Sequence, residues 1–253
     1  VGLVGSEMCI RDRYFSLIEA LDHAGIHNDT KVSINFVNSE KLDTKNYKRA
    51  LKNSDAILVP GGFGDRGIEG MVLAAKYARE SKTPYFGICL GLQIAIIEMT
   101  RSLLKLKDAN STEFKKRVKN NVISLVTEWK NEDGTIEKRN HKSDKGGTMR
   151  LGAQVAFLKN GTLAKSLYKK NSIFERHRHR YEVNPSYVPE LEKHGLIVSA
   201  RSEMHNLVEM IELKNHPWFV ACQFHPEFTS KPKKGHPLFN DFIKAAEIKR
   251  NKK

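Results

Sequence analysis

"PYFGICLGLQIAI", residues 84–96, sets one cysteine between two glycines, with a β-type run before it and an apolar run after it. The stretch reads as a strand, a sharp turn and a helix from Leu90 to about Met99. In Gly87-Ile88-Cys89-Leu90-Gly91 the glycines tolerate the cramped, often left-handed backbone that such a turn demands, and they clear space around the side chain between them. The pattern is the cysteine counterpart of a nucleophile elbow. A thiol at a helix start faces unpaired N–H groups and the positive end of the helix dipole, which favour the attacking thiolate. The N–H of Leu90 then points where an oxyanion would form. An isolated cysteine after a core strand is more often a small buried hydrophobe; the flanking glycines at this junction favour the nucleophile.

Outward from this unit, helix and strand patterns alternate, the signature of an α/β doubly wound, mainly parallel sheet flanked by helices. Phe15, Ile18 and Leu21 share one helical face that Gly25 ends; "VSINFV" alternates as a strand; "YKRALKN" is a short helix. In "DAILVPGGFGDRG" a continuous apolar strand, 56–59, runs into Pro60 and a glycine-rich turn before "EGMVLAAKYARES" resumes the helical period. Such a turn lies at the carboxyl edge of a parallel sheet, where these folds bind ligands, and Gly62 there can give a second oxyanion donor. No G-x-x-x-x-G-K-[ST] run occurs. Beyond the elbow helix come a Gly/Lys/Asp-rich loop, several strands, a last strand "WFVACQFHPEF" and a closing helix "PLFNDFIKAAEIK".

A nucleophile needs a base, and "ACQFHPEF", residues 221–228, offers one. His225 and Glu227 are two apart on an extended run, so both side chains leave the same face and the carboxylate can hold one imidazole nitrogen while the other faces the thiol. Pro226 keeps His225 extended. The residues alone point to a Cys-His-Glu hydrolase or acyl-transfer enzyme; a His and a carboxylate at this spacing also occur often on solvated strands.

Composition narrows the setting. The 253 residues suffice for one full-sized α/β domain. The formal charge of +14 would suit a phosphate-rich partner, but the excess is lysine scattered over helix surfaces and the tail, so no nucleic-acid partner is expected. Three cysteines, Cys9, Cys89 and Cys222, form neither a disulfide framework nor a zinc pattern, which points to a reducing cytoplasm and no metal. No apolar run approaches a membrane span. The first thirteen residues, "VGLVGSEMCIRDR", show no sustained period and read as a non-native leader, with the domain proper, residues 14–253, starting at Tyr14.

"PGGFG", "GICLGLQ" and "QFHPE" together resemble the three signatures of the class I (triad) glutamine amidotransferases. Longer blocks, "DANSTEF" (108–114), "KSDKGGTMRLGAQ" (142–154), "ERHRHRYEVN" (175–184) and "NHPWFVACQFHPEFTSKPKKGHPLF" (215–239), are similar to the amidotransferase half of CTP synthases, from about Tyr14 to about Ala246. The resemblance implies that Cys89 attacks the side-chain amide of L-glutamine, that His225 moves the protons and Glu227 orients it, and that Gly62 and Leu90 serve the oxyanion. It implies glutamine-binding roles for Gln93, Glu113 and Arg180; a carboxylate such as Glu113 is a natural partner for the substrate ammonium. It further implies a cytoplasmic enzyme whose N-terminal synthetase domain, absent from this chain, uses ATP and magnesium to activate UTP. The resemblance also implies that GTP stimulates the coupling, that the full-length family forms homotetramers, and that the amidotransferase domain has no cofactor of its own. A loop from about Arg139 to Arg150 resembles the segment over the active site. The alternative is a stand-alone Cys-His-Glu hydrolase such as a γ-glutamyl hydrolase.

Overall fold

The computed structural model describes residues 1–6, 14–115, 117–125, 128–130, 136–138 and 149–252. In chain order the elements are β1 (Gly2–Gly5), α1 (Phe15–His27), β2 (Asn35–Asn38), α2 (Tyr47–Leu51), β3 (Ile57–Val59), α3 (Ile68–Ser81), β4 (Tyr85–Ile88) and α4 (Leu90–Leu103). Then follow β5 (Asn110–Ser111), β6 (Asn121–Leu125), β7 (Glu128–Lys130), β8 (Ile136–Lys138), β9 (Arg150–Leu158) and α5 (Leu163–Tyr168). The chain closes with β10 (Ser172–His179), β11 (Tyr181–Val183), α6 (Val188–Lys193), β12 (Leu196–Ser202), β13 (Val208–Leu213), β14 (Phe219–Cys222) and α7 (Pro237–Arg250).

Nine of these strands form one sheet in the order β10-β9-β12-β13-β14-β4-β3-β1-β2. The half from β2 to β14 is parallel, in the flavodoxin-like order, with β14 as its fifth strand. The half from β14 to β10 is antiparallel. The sheet is therefore parallel where helices cross over and antiparallel where short connections let successive strands turn back, a mixed sheet built on the expected doubly wound parallel unit.

Residues along each parallel strand alternate between two apolar cores. Val4, Ile57, Val59, Tyr85 and Phe219 face the core built with α2, α3, α4 and α6, whereas Leu3, Leu58, Phe86, Ile88 and Val220 face the core of α1, α5 and α7. Both faces are dry, which is why these strands read as continuous apolar runs.

Residues 2–5, within the stretch read as a leader, form β1, which lies between β2 and β3, fully buried. A four-residue strand buried on both faces has no alternation to detect. Residues 7–13 lie outside the described residues. Helix α1 also continues past Gly25 to His27, and its buried face is Leu17, Ala20, Leu21 and Ala24, with Phe15 exposed. Position 25 takes a glycine because its neighbour is close: a Cβ there would lie 2.7 Å from the carbonyl oxygen of Thr30.

A second sheet, β11-β6-β5, brings the turn after β5 beside the start of β11. That arrangement carries Glu113 and Arg180 toward the carboxyl edge of the main sheet. Of the expected loop from 139 to 150, residues 139–148 lie outside the described residues; Arg150 opens β9.

Candidate active site

Three adjacent parallel strands, β3, β4 and β14, end at the same edge. Just beyond them lie the Gly61-Gly62 turn, Cys89 and His225, and all line one cavity of about 480 Å³. Leu90, Glu227, Phe63 and Arg178 complete its reactive side.

Cys89 is the N-cap of α4, with φ 52° and ψ −99°. A non-glycine residue in this region is strained, and the neighbours hold it there: its N–H donates to the carbonyl of Cys222 at 2.7 Å, and its own carbonyl accepts from the N–H of Leu92 at 3.1 Å. The positive φ thus falls on the cysteine itself. The flanking glycines serve a different end from the left-handed backbone expected of them. A Cβ on Gly91 would lie 2.2 Å from the carbonyl oxygen of Val59, and one on Gly87 would lie 2.6 Å from that of Gly91. They let α4 start directly against β3 and β4. Leu90 is the first residue of α4, so its N–H has no intrahelical partner.

The imidazole of His225 meets Glu227 through Nδ1 and Oε1 at 2.8 Å. These residues are not on a strand, as the spacing implied: β14 stops at Cys222, and Pro226–Thr229 form a single 3-10 turn capped by His225. The proline starts that turn, and the turn folds the carboxylate back onto the ring. Burial pushes the His225 pKa down, but hydrogen bonds to Cys89 and Glu227 and the charges of both outweigh it, and the ring is raised to about 10. An imidazolium facing sulfur is the arrangement that activates a cysteine nucleophile.

The remaining candidates fall in two groups. Gly62 lies against Leu90, a Cβ on it meeting Leu90 Cδ2 at 3.2 Å. Glu113 accepts a hydrogen bond from the N–H of Gly64 at 3.2 Å, which ties it to the glycine turn. Burial raises its pKa, partly offset by that bond and by the Arg180 charge. Arg180 is half-buried, with Nε lacking a partner among the described residues. Gln93 sits beneath the cavity: its Nε2 donates to the carbonyl of Tyr181 at 3.2 Å and to Oε1 of Gln223 at 3.5 Å.

Several site residues were not singled out from the sequence. Tyr14 Oη donates to the carbonyl of Gly61 at 3.3 Å. Gln223 is fully buried against Cys89; a lone amide in the apolar run "ACQF" was its signal, because a buried amide requires partners. The run "RHRHR" divides by strand alternation. Arg176 and Arg178 point outward onto Phe228 and Phe63, while His177 and His179 turn inward and bond to each other at 2.9 Å. Behind them Arg150 joins Glu182 at 2.9 Å and Glu209 at 2.6 Å, all buried or nearly so.

Among the described residues no group of three or more His, Cys, Asp or Glu could hold a metal ion, and no helix is long and apolar enough to cross a membrane.

The glutamine amidotransferase class-I family model matches residues 9–245. The structure is similar to the glutaminase domain of Trypanosoma brucei CTPS with bound acivicin, at 36% identity and a TM-score of 0.87, covering 98% of this chain and 93% of that one. It shares its fold with PurLQS from Thermotoga maritima, at 16% identity, TM-score 0.52 and coverage of 98% and 96%. It likewise shares it with a glutamine amidotransferase from Methylobacillus flagellatus, at 10% identity, TM-score 0.53 and coverage of 100% and 94%. A matched model across nearly the whole chain, on a fold that gathers all three of its signatures at one sheet edge, places this chain in the class I glutamine amidotransferase family.

Proposed function

We propose that the chain is the glutaminase domain of a CTP synthase, hydrolysing L-glutamine and supplying ammonia for the ATP-dependent amination of UTP to CTP. The observation that carries the hydrolytic half is the Glu227–His225–Cys89 relay lining one cavity. Likeness to the T. brucei domain supports the choice of CTP synthase.

In this reading the Cys89 sulfur attacks the carboxamide carbon, and the carbonyl oxygen becomes an oxyanion received by the N–H groups of Leu90 and Gly62. His225 delivers a proton to the departing nitrogen, the C–N bond breaks, and ammonia leaves a γ-glutamyl thioester on Cys89. His225 then takes a proton from water as it attacks the thioester, the C–S bond breaks, and glutamate is released. Glu227 holds Nδ1, so the ring presents its other nitrogen to the sulfur throughout.

Glu113 is the partner of the substrate ammonium: burial raises its carboxyl, and a cation beside it favours the ionised form. Arg180 beside it completes the substrate's charged end, and Gln93 acts from below. The partner is a synthetase domain that binds ATP, UTP and magnesium and responds to GTP, in a cytoplasmic homotetramer.

The test is ammonia release from glutamine by this chain and by Cys89→Ala, alone and with a CTP synthase synthetase domain, ATP, UTP, magnesium and GTP, with CTP formation followed in parallel. Cysteine-dependent release and CTP are expected. Full turnover by a folded Cys89→Ala protein would end the mechanism. Faster cleavage of a γ-glutamyl peptide than of glutamine would favour a stand-alone hydrolase.

A further inference from the structure

Gln223 is wholly buried immediately after β14, and its backbone N–H donates to the carbonyl of Glu209 at 2.8 Å, so its backbone is anchored to the sheet. Its Nε2 lies 3.8 Å from the Cys89 sulfur, within reach of a hydrogen bond to sulfur, and its Oε1 accepts from Gln93 Nε2. The direction of this chain of amides is dictated from its far end. The Tyr181 carbonyl can only accept, so Gln93 must turn its NH2 group that way, and the same group reaches Gln223. Gln223 therefore turns its oxygen to Gln93 and its NH2 to the sulfur.

We propose that Gln223 is a positioning and charge-stabilising donor to the Cys89 sulfur, aimed by the Tyr181 carbonyl through Gln93. The inference rests on Cys89 being the nucleophile. Sulfur carries negative charge twice in the cycle: before attack, and when the thioester C–S bond breaks and the electron pair returns to it. At both points a neutral N–H held in a dry site stabilises it without competing for the proton that His225 must carry. The titratable groups acting on Cys89 are His225, with Glu227 behind it, and the Cys222 thiol on β14. His225 supplies the charge, and Gln223 fixes the direction of the lone pair.

The experiment follows the rate of iodoacetamide alkylation at Cys89 against pH, located by peptide mass spectrometry, in the wild type, Gln223→Met and Gln223→Glu. Turnover of glutamine is measured alongside. Methionine keeps length and apolar volume but donates nothing to sulfur. The expected result is a pH midpoint about one unit higher in Gln223→Met, higher again in Gln223→Glu, and kcat lowered roughly tenfold with KM changed less than about twofold. A role confined to packing would lower thermal stability and leave the midpoint where it is. Folded variants with an unchanged midpoint overturn the proposal. If Gln223→Met fails to fold, Gln93→Met decides: it removes the donor that aims the amide, and a midpoint that does not rise refutes the inference. Wild-type Cys89 alkylating no faster than Cys222 would instead overturn the nucleophile assignment itself.

Discussion

Gly61 packs directly against the ring of His225: a Cβ at Gly61 would lie 2.7 Å from the imidazole Cε1 and 3.4 Å from the Cβ of Cys89. The glycine turn thus sets the spacing between nucleophile and base as well as lining the cavity. Gly61→Ala would push the ring away from its place between Cys89 and Glu227. Because a displacement near 1 Å can cost about 100-fold in rate, Gly61→Ala is expected to lower kcat by that order while changing the thermal midpoint little. Steady-state ammonia release and a thermal melt check it, and near-normal kcat would refute it.

The protonation of His225 has a definite sign. Its pKa is raised to about 10 against an ordinary 6.5, so its contribution to folding stability is complete below about pH 6.5 and fades as pH rises toward 10. Burial alone works the other way, and the partners reverse it. NMR titration should find the wild-type ring still charged at pH 8. It should titrate lower in Cys89→Ala, and lower still with Glu227→Gln added. A wild-type midpoint near 6.5 would refute the imidazolium.

Helix α4 begins in contact with β3, and Gly91 makes that possible. Its carbonyl also accepts from the Tyr85 hydroxyl at 2.8 Å, so backbone is fixed on both sides. Gly91→Ala forces a methyl group to within 2.2 Å of the Val59 carbonyl oxygen unless something moves. Since neither neighbour is the free end of a flexible side chain, the cost is expected at about 3 kcal/mol, the upper end for overpacking. Urea denaturation measures it; a loss under about 1 kcal/mol would show that the strand yields.

Much of this was legible in "PGGFG", "GICLGLQ" and "QFHPE", because a sharp strand-to-helix turn, a cysteine and a His-Glu pair leave local marks. The reasons behind two of those marks were not legible. Glycines at 87 and 91 look like conformational hinges, yet the structure uses them for close approach, which depends on what lies across the sheet. The His225–Glu227 pair has the spacing of a strand, but the chain leaves the strand at Cys222 and makes the same contact through a 3-10 turn. The "RHRHR" run separates into outward arginines and inward histidines only through the alternation of β10, which is invisible until the strand is known. Glu113 and Arg180 are 67 positions apart, and only the small sheet β11-β6-β5 shows that they share one place.

The buried Arg150 group should behave as one unit. Burial holds the Glu182 carboxyl well above the usual range, with the Arg150 charge opposing it and the Glu209 charge adding to it, and burial raises Glu209 against the same arginine. Both groups give stability that is complete below about pH 4.5 and declines as pH rises through their raised values. Arg150→Met removes the cation that limits this decline. The expected loss is about 3–5 kcal/mol at pH 8 and less at pH 5.5, read from denaturant midpoints at the two pH values. A loss that does not grow with pH would mean that the carboxyls stay neutral.

Strand β1 carries the last prediction. It pairs with β2 and β3 through residues 2–5, and Leu3 and Val4 are wholly buried in opposite cores. Removing residues 1–5 would expose one edge of β3 and separate β2 from the sheet. At roughly 1.5–3 kcal/mol for each fully buried aliphatic side chain, the two residues together account for about 3–6 kcal/mol, a large share of a domain's net stability. A chain starting at Ser6 is therefore expected to unfold at much lower urea concentration and to lose the sharpness of the transition, since β2 would no longer unfold with the rest. Cys89 lies two strands away, beyond β3, so a folded remnant should still alkylate there at a reduced rate. Unchanged stability in the shortened chain would show that residues 2–5 contribute nothing to the sheet.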